Sequence, residues 1–80
     1  MIRGWVLVQT EPGRARPICD ALAGFHSGEL RVITADTVTG PHDIIVHAEA
    51  PNVDALSNVV GAALGDAPGV EHITTCIAMD

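Results

Sequence analysis

Residues 4–10 (GWVLVQT) carry large apolar side chains on both parities, Trp5 and Leu7 on one and Val6 and Val8 on the other. Turn residues bound this run, which predicts a strand. Glu11, Pro12 and Gly13 break it. Across residues 14–25 the apolar side chains fall at Ala15, Ile18, Leu22 and Phe25, the three- and four-residue steps of an amphipathic helix. Pro17 fits only its first turn, which puts the start near Arg16. Gly24, Ser27 and Gly28 mark its end. Residues 30–37 (LRVITADT) predict a second strand, residues 38–43 (VTGPHD) a turn, and residues 43–50 (DIIVHAEA) a third strand. Pro51 and Asn52 open a second helix, with Asn52 as N-cap and Asp54 placed to favour the helix dipole. Leu56, Val59, Val60, Ala63 and Leu64 form its apolar face. Residues 65–69 (GDAPG) stop that helix, and residues 71–79 predict a fourth strand.

The resulting order, β-α-β-β-α-β, defines an α+β, ferredoxin-like fold: an antiparallel four-stranded sheet with two helices on one face. Two helices cover one face of a sheet, so the other should turn polar in a lone monomer. Here Val32 opposes Ile33, Ile44 and Val46 oppose Ile45, and Ile73, Ile77 and Met79 oppose Cys76 and Ala78. Both faces are therefore substantially apolar. The expectation is that the open face packs sheet to sheet on a second copy, as a dimeric α/β barrel. The alternative is a sheet buried within a larger hetero-complex.

Size supports a partner. Eighty residues make one domain, spanning 1–80. Such a chain buries only roughly 60–65% of its unfolded surface and is marginal alone. Its two cysteines, Cys19 and Cys76, form no CxxC. That usage suits a reducing compartment, with both thiols as small apolar core residues; a disulfide between them is the lesser alternative. Nothing at the N-terminus reads as a signal peptide or a membrane span, so a cytoplasmic location is expected. Net charge is −6, with four arginines and no lysine. That argues against direct nucleic-acid binding and against an anionic membrane surface.

Several stretches together resemble one known family. They are Thr10-Glu11-Pro12-Gly13 after the first strand, Val38-Thr39-Gly40-Pro41-His42-Asp43 in the hairpin, Pro68-Gly69-Val70 before the last strand, and Thr75 within it. The chain is similar over its whole length to the effector-binding (RAM) domain of the Lrp/AsnC regulators. TG-x-x-D followed by an apolar strand is the most specific element. The family favours an aromatic before the aspartate, where this chain has His42. The resemblance implies dimers through face-to-face sheets, often in rings of dimers. It implies amino acids or related effectors bound between dimers, near the hairpin and the last strand. Full-length members add a helix-turn-helix that reads DNA, so the chain looks like a stand-alone form of the effector module. Any effect on transcription would pass through a DNA-binding partner, such as a full-length homologue.

On that basis the candidate ligand-binding residues are Thr39, Gly40, Pro41, His42 and Asp43 of the hairpin, with Thr74, Thr75 and Cys76 of the last strand. Gly40 can take positive φ and turn backbone N–H groups toward a carboxylate. Asp43 could receive an ammonium group. An amino acid presents both charges. The plainer reading is that Asp43 only ties down its turn, that His42 is a surface residue, and that residues 74–76 only pack in a strand. Alternation sends Thr74 and Cys76 to one face and Thr75 to the other.

Metal chemistry is disfavoured. His26, His42, His47 and His72 have no ligand-type spacing to a cysteine or to one another, and no cofactor is expected. His47 and Glu49 share a strand face and are read as rimming an interface. The enzyme alternative is a small dimeric α/β-barrel monooxygenase or isomerase, for which His47 and Asp36 are the only plausible acid–base pair. A purely structural oligomer is the third reading. Residues 61–65 have GxxxG spacing, read as close helix-on-sheet packing.

Overall fold

The computed structural model describes residues 1–59, 64 and 67–79. Its elements run β1 (Ile2–Thr10), α1 (Ala15–Leu22), β2 (His26–Ser27), β3 (Leu30–Thr37), β4 (Ile44–Ala50), α2 (Val53–Val59) and β5 (Val70–Ile77). They form one antiparallel sheet in the order β2-β3-β4-β1-β5. Without the two-residue β2 this is the predicted ferredoxin-like arrangement, with the first strand in the middle.

The added strand belongs to a hairpin that periodicity could not show. Helix α1 ends at Leu22, because Gly24 takes φ 75° and turns the chain out of the helix. Phe25 therefore lies beyond the helix instead of on its face, half-buried against the core. His26 and Ser27 then pair back onto Arg31 and Leu30, across a tight turn where Gly28 has φ 61°. At the start of α1, Pro17 occupies the first turn as expected, where a missing N–H costs nothing. At the start of α2, the Asn52 side-chain oxygen accepts from the Ala55 N–H at 2.8 Å, so Asn52 is the N-cap. Of the residues assigned to the apolar face of α2, Leu56 and Leu64 are buried. Val60, Ala63, the side chain of Val59 and both glycines of the GxxxG run lie outside the described residues.

Strand alternation divides the sheet cleanly. Val6, Val8, Ile44 and Val46 are fully buried on the helix side, together with Leu22, Leu56 and Leu64. Gly4 belongs to this face too. A Cβ there would stand 2.6 Å from the Cys76 carbonyl oxygen and 2.7 Å from Leu56 Cδ2. Backbone on one side and a core leucine on the other leave no easy relief. Gly4→Ala should lose about 1–3 kcal/mol by overpacking, read as a lowered urea midpoint with α2 and β5 loosening together.

The opposite face carries Trp5, Leu7, Ile45 and His47 at its centre, all half-buried by contact with one another. It is less apolar than expected toward β3. A bulge between Val32 and Thr34 makes Ile33 the extra residue, so Arg31, Thr34 and Asp36 line that side. Cys19 is buried, whereas Cys76 is exposed on this open face, which corrects its assignment to the core. Both are free thiols. Burial, and secondarily the charge of Asp20, raise the Cys19 thiol above its ordinary value and keep it protonated.

Candidate functional site

The hairpin of residues 38–43 is lashed to β1 by its backbone and by one side chain. The Asp43 N–H donates to the Val8 carbonyl at 2.8 Å, and the Val38 N–H donates to the Asp43 carbonyl at 2.9 Å. Gln9 Nε2 donates to the Pro41 carbonyl at 2.7 Å. The Thr10 N–H donates to Asp43 Oδ2 at 2.8 Å. The ordinary role of an aspartate in a turn is thus present, with the tie reaching another strand. Losing this part-buried, charge-assisted bond should cost about 1.5–3 kcal/mol in Asp43→Ala.

The same anchoring fixes the tip. Thr39, Gly40 and Pro41 are exposed, and His42 and Asp43 are half-buried. Gly40 has φ 152°, and no atom lies within 4 Å of where its Cβ would be. Among the described residues Asp43 Oδ1 makes no hydrogen bond. An anchored loop therefore presents open space, a glycine and one unused carboxylate oxygen.

The last-strand candidates stand apart from it. Thr74 lies opposite Leu7 and Cys76 opposite Trp5 on the open face. Those rows are two and four residues along β1 from Gln9, roughly 7 and 14 Å. Thr75 pairs with Val6 and belongs to the helix side. All three are exposed. Neither of two grooves among the described residues brings the hairpin and residues 74–76 together. A groove of about 250 Å³ lies between α1 and the turn before β5, lined by Arg14, Pro17, Ile18, Ala21, Ala67 and Pro68. A second, of about 170 Å³, is lined by Met1, Ile2, Arg3, Glu49 and Ala78. Neither includes hairpin residues.

The open face holds a feature that the sequence did not disclose. His47 stacks on Trp5 with ring centroids 4.7 Å apart and planes 4° from parallel. The Arg3 guanidinium lies 5.9 Å from the Trp5 ring centroid. His47 Nε2 is buried without a hydrogen bond among the described residues. His47 thus sits in the middle of the face, while Glu49 pairs with Arg31 nearer the sheet's end. The register carries the signal: aligning the buried pairs Val6 with Val46 and Val8 with Ile44 forces Trp5 opposite His47. Asp36 stands one row away, opposite Ile45. Among the described residues no three His, Cys, Asp or Glu side chains gather to hold a metal ion. No described helix is long and apolar enough to cross a membrane.

The family model for the Lrp/AsnC ligand-binding domain matches residues 5–80. The chain belongs to that family. Its fold is shared with TTHA0845 from Thermus thermophilus, at 28% identity and a TM-score of 0.87, covering 100% of this chain and 95% of that one. It is also similar to FFRP-DM1, at 25% identity and a TM-score of 0.80, covering 99% of this chain and 100% of that one. The fold recurs in the transcriptional regulator NMB0573 from Neisseria meningitidis, whose structure is a complex with L-Met. There the identity is 20%, the TM-score 0.75, and the coverage 99% of this chain and 50% of the regulator. A search of the curated proteins finds no match.

Proposed function

We propose that this ligand-binding domain is a non-enzymatic amino-acid sensor and assembly module, with its ligand held between copies at the hairpin of residues 39–43. The anchored hairpin carries the reading. It offers an amino acid the two things its charges require, open backbone at Gly40 for the carboxylate and Asp43 Oδ1 for the ammonium group. Cys76 lies about 14 Å along β1 from the Gln9 row, and Thr74 about 7 Å, so a ligand at the hairpin is reached more directly by the same residues of a neighbouring copy. In this reading another copy supplies them to the site. The L-Met complex of the Neisseria meningitidis regulator favours amino acids as the class to test.

The open face supplies the assembly. The Cα trace extends 34 × 23 × 17 Å. A broad face of that size matches the ~800 Å² per partner of a standard specific interface. Packing two such faces together would cover Trp5, Leu7, Ile45 and His47. The domain would act on transcription through a DNA-binding member of its family.

A thermal-shift panel of the twenty amino acids, followed by light scattering on each hit, tests this. Ligand at a hundred times its Kd adds about 2.7 kcal/mol, roughly ten degrees or more in a domain this small. Asp43→Asn keeps an acceptor for the Thr10 N–H and removes the charge. It should abolish the shift while leaving the unliganded Tm near wild type. Undiminished binding by Asp43→Asn would overturn the site. No shift with any amino acid, beside a constant oligomer, would favour the purely structural reading.

A further inference from the structure

The two edges of the sheet differ in kind. One is closed by β2, only two residues long and turned back in a hairpin. Short edge strands of this sort are a common guard against pairing with other chains. The other edge is β5, eight residues long, paired among the described residues with β1 alone. It contains no proline, and its one carboxylate, Glu71, lies at its start. Glu71 is also the extra residue where the register shifts opposite Gln9 and Thr10. The bulge and the charge guard that end of the strand and leave residues 72–77 regular.

The register identifies which groups face outward. The Ala78 N–H donates to the Arg3 carbonyl at 2.9 Å. Bonding alternates along an antiparallel ladder, so Cys76, Thr74 and His72 also turn their N–H and C=O groups toward β1. Ile73, Thr75 and Ile77 turn theirs away. Three evenly spaced donor–acceptor sets therefore line the outer edge, with Thr75 in the middle. Thr75 is exposed even though its side chain belongs to the helix side, so neither helix covers the edge there.

We infer that β5 pairs antiparallel with β5 of a second copy, about a twofold axis at Thr75, joining two sheets edge to edge. This register alone uses all three outward sets, for about six ladder hydrogen bonds. It places Thr75 opposite Thr75 and Ile73 opposite Ile77 of the second copy, both favourable cross-strand pairs of β-branched residues. Charge also selects it. In a chain of net charge −6, self-association must keep carboxylates apart. Here the two Glu71 side chains end up about 27 Å apart at ~3.4 Å per residue, far beyond the ~8–10 Å screening length of physiological salt. This junction is separate from the face-to-face packing proposed above, because Thr75 lies on the opposite side of the sheet from Trp5 and Leu7.

The two contacts can be told apart. In a Cys76→Ser background, Thr75→Cys should form a disulfide-linked dimer under mild oxidation, since facing residues of a bonded pair lie ~5.5 Å apart at Cα, within disulfide range. Thr74→Cys in the same background has no twofold mate in this register and should not cross-link. Thr75→Pro removes an N–H that β1 does not use, a substitution edge strands tolerate. It should roughly halve the native mass by light scattering with the circular dichroism unchanged. In the wild type, amide exchange at Ile73, Thr75 and Ile77 should slow as protein concentration rises. Loss of cross-linking by Thr75→Cys, or concentration-independent exchange at all three amides, would overturn the junction and leave the face-to-face dimer standing. Should Thr75→Pro fail to fold, the cross-link and the exchange data decide alone.

Discussion

Ile44→Ala should remove about 2–5 kcal/mol of folding free energy, the usual cost of emptying a fully buried isoleucine site. A domain of 80 residues has roughly 4–12 kcal/mol in total. The substitution therefore takes a large share of the stability, and a marginal chain would unfold near physiological temperature. The position matters beyond its volume. Ile44 is the first residue of β4, next to Asp43, and pairs with Val8 across β1 and with Thr37 across β3. A cavity there loosens the root of the hairpin. Denaturation by urea should show a lower midpoint, and ligand affinity should fall along with it. An unchanged midpoint would mean that the helix-side core collapses around the cavity without strain.

Trp5→Ala should act almost entirely on assembly. Trp5 stacks on His47 under the Arg3 guanidinium and stands outside the helix-side core. Buried tryptophans at the centre of an interface commonly contribute about 2 kcal/mol or more each. A twofold interface loses two of them. About 4 kcal/mol follows, roughly a thousandfold in the dimer Kd. Sedimentation over a concentration series should show a folded species of half the wild-type mass, no longer joined through the open face, its far-ultraviolet circular dichroism retained. Retention of the full mass at micromolar protein would remove the open face from the assembly.

Much of this architecture could be read from alternation. The buried set Val6, Val8, Ile44 and Val46 and its opposite, Trp5, Leu7 and Ile45, follow from strand parity alone. The Asn52 cap was legible because capping is local, an acceptor three residues before the N–H it receives. What escaped was set by contacts distant in sequence or by single dihedral angles. The end of α1 depends on φ at Gly24, and apolar spacing kept Phe25 on the helix. The Ile33 bulge moved Thr34 and Asp36 to the open face, which no two-residue period foresees. The tie from Asp43 to Thr10 spans 33 residues and needs the β1–β4 register to exist first. The hairpin candidates share one loop, so their nearness was legible from the sequence. The separation of Thr74 and Cys76 from that loop along β1, and the opposite face of Thr75, follow from the β1–β5 register, which forms only in the fold.

The pairing of β5 with β1 also sets when the fold can form. Gly4 meets Ile77 and Arg3 bonds to Ala78, so segments more than seventy residues apart close the sheet together. Pairings this distant along the chain pay their loop-closure entropy before any reward, so such topologies fold more slowly than those built from local contacts. During synthesis β1 gains its second neighbour only once residues 70–78 have left the ribosome. Until then β1 is itself an open edge, with its Val-rich run GWVLV available to other chains. The window for misassembly stays open until residues 70–78 have emerged, and delaying their emergence should raise aggregation more than an equal delay earlier in the chain.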